Sequence, residues 1–390
     1  MKERNGSAGV PFCRPDITEA EIADVAATLR SGWITTGPRV REFEEAFAAS
    51  RGAAWAVGVS SCTAGLHVAL AAAGCGPGDE VITSANTFTA TAASILQVGA
   101  RPVLVDIEEE TFNLDPAAVE RAAGPRTRAV IPVHIAGHPC EMDPIRETAR
   151  ARGAAVIEDA AHALPAAYRG RPVGALSELT CFSFYATKNL TTGEGGMVTG
   201  LDPALRERVA LLGYHGMSKD GWKRYLDRGS WYYEIVEHGF KYNLTDLAAA
   251  LGLRQLARLP AMQERRRRIV AAFDAAFADL PELILPRARP HVEHAWHLYI
   301  VRLREGALKV DREGFIQALA RRGVGASVHF IPLYRHPLYA RALGARAEAF
   351  PVAERVYRSC VSLPLFSAMT DAELDRVREA VREVVAEGRR

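Results

Sequence analysis

The sequence predicts an α/β protein in which a large, mostly parallel sheet is covered on both faces and a smaller α+β domain follows. Three observations carry that expectation. From Trp55 to about residue 200, short β-rich runs alternate with amphipathic runs, the mark of successive βαβ units. The β-rich runs are almost wholly apolar, as strands buried on both faces of a parallel sheet must be. Past about residue 205 the chain changes to long helical stretches, and 390 residues is a length for two domains. We place these at 1–260 and 261–390.

Thr18 with Glu21 three residues on forms a capping box, and Ile22, Val25, Ala26 and Leu29 continue an apolar helical face that Gly32 ends. SGWITTGPRV is too dense in Gly, Thr and Pro for an element and reads as a loop, with a second helix from Val40. WAVGV, TAGLHVALAAAG, DEVITS, TFTATAASILQVG and RPVLVDI then alternate as strand and helix. The strand RAVIPVHI, the helix EMDPIRETARARG and the strands AAVIEDA, ELTCFSF and GGMVTG complete the first body. TDLAAALGLRQLARLPAMQERRRRIVAAFDAAFADL has room for two helices or one kinked at Pro260, and its Arg265 to Arg268 run reads as a solvated face. After it come a strand (HLYIVRL), a helix (REGFIQALARRG), a strand (ASVHFI) and a last helix capped by Thr370 and Glu373.

Composition narrows the function classes. With 48% hydrophobic and 24% charged residues the chain is globular, and 48 basic against 46 acidic residues give no pull toward nucleic acid or an anionic membrane. No run reaches the roughly 18 apolar residues of a membrane span, and the N-terminus has no apolar signal core, so a cytoplasmic protein is expected. Six cysteines are scattered singly, as reduced thiols are. His134 and His138 share helix spacing, but Pro132, Gly137 and Pro139 oppose a helix there, and no metal site is expected.

The chemistry gathers at strand ends. SFYATKNLTTGEGG places Lys188 just past a buried strand, where ligands of open α/β sheets bind, although a solvated lysine is the commoner outcome. VIEDAAHA closes another apolar strand with Asp159, a carboxylate that burial obliges to find a cation or donor, such as a pyridinium nitrogen; capping a following helix is the alternative. In SSCTAGLHVAL, Ser60, Ser61 and Thr63 stand before a helix whose first N–H groups suit a phosphate, or simply cap it. Phe88 opens the next helix and offers a ring to a flat ligand, or to the core.

In this order, SSCTAGLHVAL, TFTAT, IEDAAHA, SFYATKNLTTGEGG and KYNLTDLAAALGLRQL resemble the DegT/DnrJ/EryC1/StrS family of sugar aminotransferases dependent on pyridoxal 5'-phosphate (PLP) over nearly the whole chain. The resemblance implies fold type I of the PLP-dependent transferases, aspartate-aminotransferase-like: a seven-stranded large domain, a small C-terminal domain, and a homodimer with shared active sites. It implies Lys188 as the lysine that holds PLP or releases it as the amine form (PMP), and Asp159 as partner of the pyridine nitrogen. It sets His162 beside the ring, Phe88 stacked on it, Ser183, Cys62 and Thr63 around the phosphate, and Asn243 on the phosphate of the neighbouring subunit. Cys62 replaces the family's commoner Gly, Ala or Ser, which suits a contact made by the backbone N–H rather than by the side chain.

GWITTGP, YHGMSKDGWKRY, WYYE and SVHFIPLYRHPLY are similar to segments of members acting on nucleotide-linked 4-keto-6-deoxyhexoses, with an amino acid, L-glutamate, as donor. On that reading Trp33, Thr35, His215, His329 and Tyr334 face the sugar, with His336 a further candidate. Lys219, Lys223 and Arg224 offer charge to a diphosphate, and Trp222, Trp231, Tyr232 and Tyr233 offer ring faces. A packed, charged surface loop accounts for the same residues. The cofactor motifs equally suit a keto-cyclitol or a 3-keto sugar nucleotide as acceptor, and a PLP-binding regulator without turnover remains a reading of another class. The Ala- and Arg-rich usage fits a high-GC bacterium, where such enzymes serve antibiotic or surface-polysaccharide synthesis.

Overall fold

The computed structural model describes residues 9–217 and 233–389. α1 (Glu19–Ser31) starts at the Thr18–Glu21 capping box and stops where Gly32 takes a left-handed φ of 75°. α2 (Pro38–Arg51) begins two residues before the expected Val40, because proline suits the first helical position. β1 (Trp55–Val59), α3 (Cys62–Ala72), β2 (Glu80–Ser84), α4 (Thr89–Gln97) and β3 (Arg101–Val105) follow the predicted alternation. So do β4 (Thr127–Ile131), α6 (Met142–Ala151) and β5 (Ala155–Asp159), while α5 (Pro116–Ala122) is a short helix the patterning did not mark. A small hairpin, β6 (Ala167–Tyr168) and β7 (Arg171–Pro172), precedes β8 (Leu179–Ser183) and β9 (Gly196–Gly200).

Seven strands form one sheet in the order β1-β9-β8-β5-β4-β2-β3. Only β9 runs against its neighbours, so the other six end on one edge. One face is covered by α3, α4 and α7 (Pro203–Gly213), which bury Leu66, Ile95 and Val209. The opposite face packs under α2 and α6 through Phe47 and Ile145. Covering both faces is what lets the strands be apolar throughout and leaves the edge free to carry polar groups.

α8 (Asp246–Phe277) is a single helix that runs through Pro260 rather than a pair. Its first half buries Ala249 and Leu259 in the large core, and its second half buries Ile269, Phe273 and Phe277 in a second one, so a division at residue 260 falls inside it. The Arg265 to Arg268 run is not uniformly solvated. Arg266 lies on the helix face of Met262, Ile269 and Val270 and is buried, its Nη1 donating to the carbonyls of Trp296, His297 and Leu365.

β10 (Leu283–Ile284), β12 (Tyr299–Leu303) and β13 (Cys360–Leu363) make a three-stranded antiparallel sheet, and β11 (Val292–Glu293) joins the β6–β7 hairpin. α9 (Arg312–Arg321), α11 (Pro351–Ser359) and α12 (Asp371–Gly388) accompany that sheet, α12 with the expected capping box, whereas α10 (Pro337–Leu343) packs on α4 through Tyr339, whose hydroxyl bonds Thr89. ASVHFI, read as a strand from its alternation, is not one. It touches the sheet through one bridge, Ser327 to Ser362 on the outer edge of β13, and its His329 and Phe330 rings turn to the site described next.

Candidate active site

The edge where six strands end collects the predicted groups. β1 leads into Ser60–Thr63, β2 into Asn86–Phe88, β5 into Asp159 and His162, and β8 into Ser183 and Lys188. Asp159 is buried, and its role as a helix cap falls away because no helix follows it. Its Oδ2 accepts from Thr91 Oγ1 at 2.8 Å and its Oδ1 from the Ala161 amide at 3.2 Å, with the Cys62 thiol 3.9 Å from Oδ1. Burial pushes the Asp159 carboxyl up, against the opposite effects of Thr91, the Ala161 amide and Lys188.

Lys188 sits in a turn closed by its own amide on the Tyr185 carbonyl at 2.9 Å. Burial lowers its ammonium from 10.5 to about 8, although Cys62, Asp159 and Cys13 raise it. His162 is buried between the rings of His297 and Phe330, at 4.3 and 5.7 Å. Its Nδ1 has no hydrogen-bond partner, and burial, with Lys188 nearby, holds the imidazole neutral. Asn189 donates to the Leu164 and Ala295 carbonyls at 2.8 Å each, so its remaining oxygen must accept from His297 Nδ1 at 3.1 Å.

At the start of α3, Ser61 is the cap, accepting from the Ala64 amide at 3.1 Å, and the Cys62 thiol turns inward to the Cys181 carbonyl. β9 presses against this turn at Gly196, where a Cβ would stand 2.7 Å from the Ser61 carbonyl carbon and 2.8 Å from the Cys62 nitrogen. Ser183 is half-buried at the end of β8, and Phe88 is exposed with its ring 5.9 Å from that of Phe330. His329 bonds Ser362 through Nδ1 at 2.9 Å, and burial lowers it to about 4.

The remaining candidates are more scattered. Tyr334 is buried with its hydroxyl on Glu354 and its ring stacked on Phe350, which satisfies it as a packed core group. His336 is half-buried at the start of α10, and His215 is exposed past α7, its amide on the Phe240 carbonyl. Trp33 and Thr35 lie in the loop before α2, which is tied to the segment carrying Asn243. Lys219, Trp222, Lys223, Arg224, Trp231 and Tyr232 lie outside the described residues. His134 and His138 use their ring nitrogens on protein partners, His134 bonding Glu158 Oε2 at 2.8 Å. Sequence reading missed Thr91, Asn86, Asn189, His297 and Phe330. Thr91 was within reach, three residues after Phe88 on the same helix; His297 was not, since nothing local ties it to His162.

Residues 15–382 match the model of the DegT/DnrJ/EryC1/StrS aminotransferase family. The chain is 49% identical over 377 residues to the spore coat polysaccharide biosynthesis protein SpsC of Bacillus subtilis, over 96% of this chain and 97% of that one. It superposes on the putative sugar aminotransferase Spr1654 of Streptococcus pneumoniae in its PMP form with a TM-score of 0.91 and 38% identity, covering 97% of this chain and 99% of that one. The PLP form of Spr1654 gives 0.90 at 37%, with the same coverage. S. venezuelae DesV in complex with a ketimine intermediate gives 0.85 at 36%, over 94% of each chain. The fold and the cluster at the strand ends define a PLP-dependent transferase of fold type I. The chain belongs to the DegT/DnrJ/EryC1/StrS aminotransferase family and is a PLP-dependent sugar aminotransferase.

The residues present suit that cofactor. An amine shifted toward neutrality, a buried carboxylate, a helix start pressed close by a glycine strand, and unpartnered buried atoms at His162 Nδ1 and Asn86 Nδ2 are what an aldehyde, a pyridine nitrogen, a phosphate and ring substituents require.

Proposed function

We propose that this enzyme transfers the amino group of L-glutamate to C4 of a nucleotide-linked 4-keto-6-deoxyhexose, as a homodimer in which Asn243 serves the neighbouring subunit's site. One observation supports the catalytic assignment above others. Lys188, its amine lowered to about 8, lies in the electrostatic field of the buried Asp159 carboxylate at the C-terminal edge of the sheet. Bound PLP supplies an electron sink for the substrate carbanion. Lys188 Nζ would hold the cofactor covalently and would serve as the base that takes and returns the substrate proton. Asp159 would keep a proton on the pyridine nitrogen, and Thr91 and the Ala161 amide hold its two oxygens in place. His162, with its unpartnered Nδ1, and the exposed Phe88 ring are the residues that would hold the cofactor ring. Ser183 and the first N–H groups of α3, those of Cys62 and Thr63, take the phosphate.

Trp33, Thr35, His215, His329 and Tyr334 are the sugar-side candidates, with Lys219 and Arg224 for the diphosphate. His329, beside the field of Lys188, has the best support; Tyr334, engaged with Glu354, has the least. The test offers PMP-loaded enzyme a thymidine- or uridine-linked 4-keto sugar and a keto-inositol, with Lys188→Ala as control. Amination of the sugar nucleotide at C4, lost in Lys188→Ala, is the expected result. Turnover of the cyclitol alone, or normal turnover by Lys188→Ala, overturns the reading.

A further inference from the structure

We propose that Thr36 is a positioning residue for the cofactor phosphate, acting through Asn243; this rests on the reading of Asn243 above. Thr36 Oγ1 stands between two groups of the segment that leads into α8. It donates its one proton to the Leu244 carbonyl at 2.5 Å, and Asn243 Nδ2 lies 2.6 Å away. A hydroxyl whose proton is spent can only accept, so the Asn243 amide must turn its Nδ2 to Thr36. That leaves one N–H and the Oδ1 of Asn243 for other partners.

The orientation matters because a phosphate oxygen at neutral pH is an acceptor. It bonds an amide N–H and is repelled by an amide oxygen. Without Thr36 Oγ1 the two faces of the Asn243 carboxamide become nearly equivalent, and half the rotamers present oxygen to the phosphate.

The supports around Thr36 are rigid. Asp246 accepts from the amides of Gly37, Arg39 and Val40 at 2.8, 3.2 and 3.0 Å, and its own amide donates to the Thr35 carbonyl at 3.0 Å. Trp33 Nε1 donates to the Thr36 carbonyl and its ring fills the space over Gly37, where a Cβ would lie 1.6 Å from Nε1. On the other side, Asn243 bridges Val59, and the Ser60 amide donates to the Tyr242 carbonyl at 2.6 Å. The loop that carries Trp33 and Thr35 is thus bolted to the exit of β1, with the Thr36 hydroxyl as the side-chain joint that reaches the Asn243 amide among the described residues.

The experiment measures PLP dissociation constants of the full-length protein by equilibrium dialysis, with elution volume and circular dichroism as checks on assembly and fold. Thr36→Val, which keeps the shape and removes the hydroxyl, weakens PLP about tenfold; Thr36→Ser restores wild-type affinity within about twofold. Asn243→Ala weakens binding at least as much, and Asn243→Ala with Thr36→Val is no weaker than Asn243→Ala alone, because Thr36 acts only through that amide. Wild-type affinity in Thr36→Val, or additive losses in the double variant, overturns the role of Thr36 while leaving that of Asn243 standing. Wild-type affinity in Asn243→Ala removes the reading of Asn243 and this inference with it.

Discussion

Asp159→Asn should make the Lys188 amine titrate lower still in the apo-protein. Burial holds that amine at about 8 rather than 10.5, and Asp159 is among the groups pulling it back up. A lysine at about 8 is roughly one-tenth neutral at pH 7, against about one part in 3,000 at 10.5, so Lys188 is about 300 times more available as a nucleophile than an exposed lysine. Trace labelling with acetic anhydride across pH 6 to about 11, read by mass spectrometry of the Lys188 peptide, gives the midpoint directly. The wild-type midpoint is expected near 8, and that of Asp159→Asn below it. A midpoint above about 10 in the wild type would refute the argument that burial activates this amine. The same shift has a stability consequence of defined sign. Between about 8 and 10.5 the unfolded chain holds the extra proton, so this group's contribution to apo-protein stability is full above about 10.5 and is lost as pH falls through about 8.

Two further outcomes test the frame around the site. Gly196→Ala drives a methyl into the first turn of α3, with contacts of 2.7 Å to Phe182 O and the Ser61 carbonyl carbon, and should cost about 1 to 3 kcal/mol while weakening PLP binding at least tenfold; denaturant melts and dialysis check it, and unchanged values count against a phosphate cradle there. Glu158→Leu strands His134 Nε2 and Thr180 Oγ1, both fully buried and both donating to Glu158, and should cost about 3 to 5 kcal/mol in urea unfolding; a loss below about 1 kcal/mol would show that these donors find other partners.

Much of this molecule was legible in the chain itself. The βαβ alternation, both capping boxes and the strand-end positions of Asp159 and Lys188 depend on periodicity and local chemistry, which sequence displays directly. ASVHFI differs because alternation fits any half-exposed extended segment, whereas a strand needs a continued ladder, and this segment meets the edge of β13 at Ser327 alone before His329 and Phe330 turn to the site. Arg266 was misread for a different reason. Four consecutive arginines look like a solvated face until the helical period places one of them against three backbone carbonyls of two distant segments.

Sequence alone determined the class of protein: a lysine and an aspartate at the ends of buried strands, in an order of motifs that marks one aminotransferase family. Only the tertiary structure decided how those groups are tuned. The lowered amine of Lys188, the raised carboxyl of Asp159 and the neutral His162 all follow from burial, to which neighbours such as His297 and Phe330 contribute. Removal from water sets the energy of a charge, and a linear chain carries no record of which distant residues exclude the water.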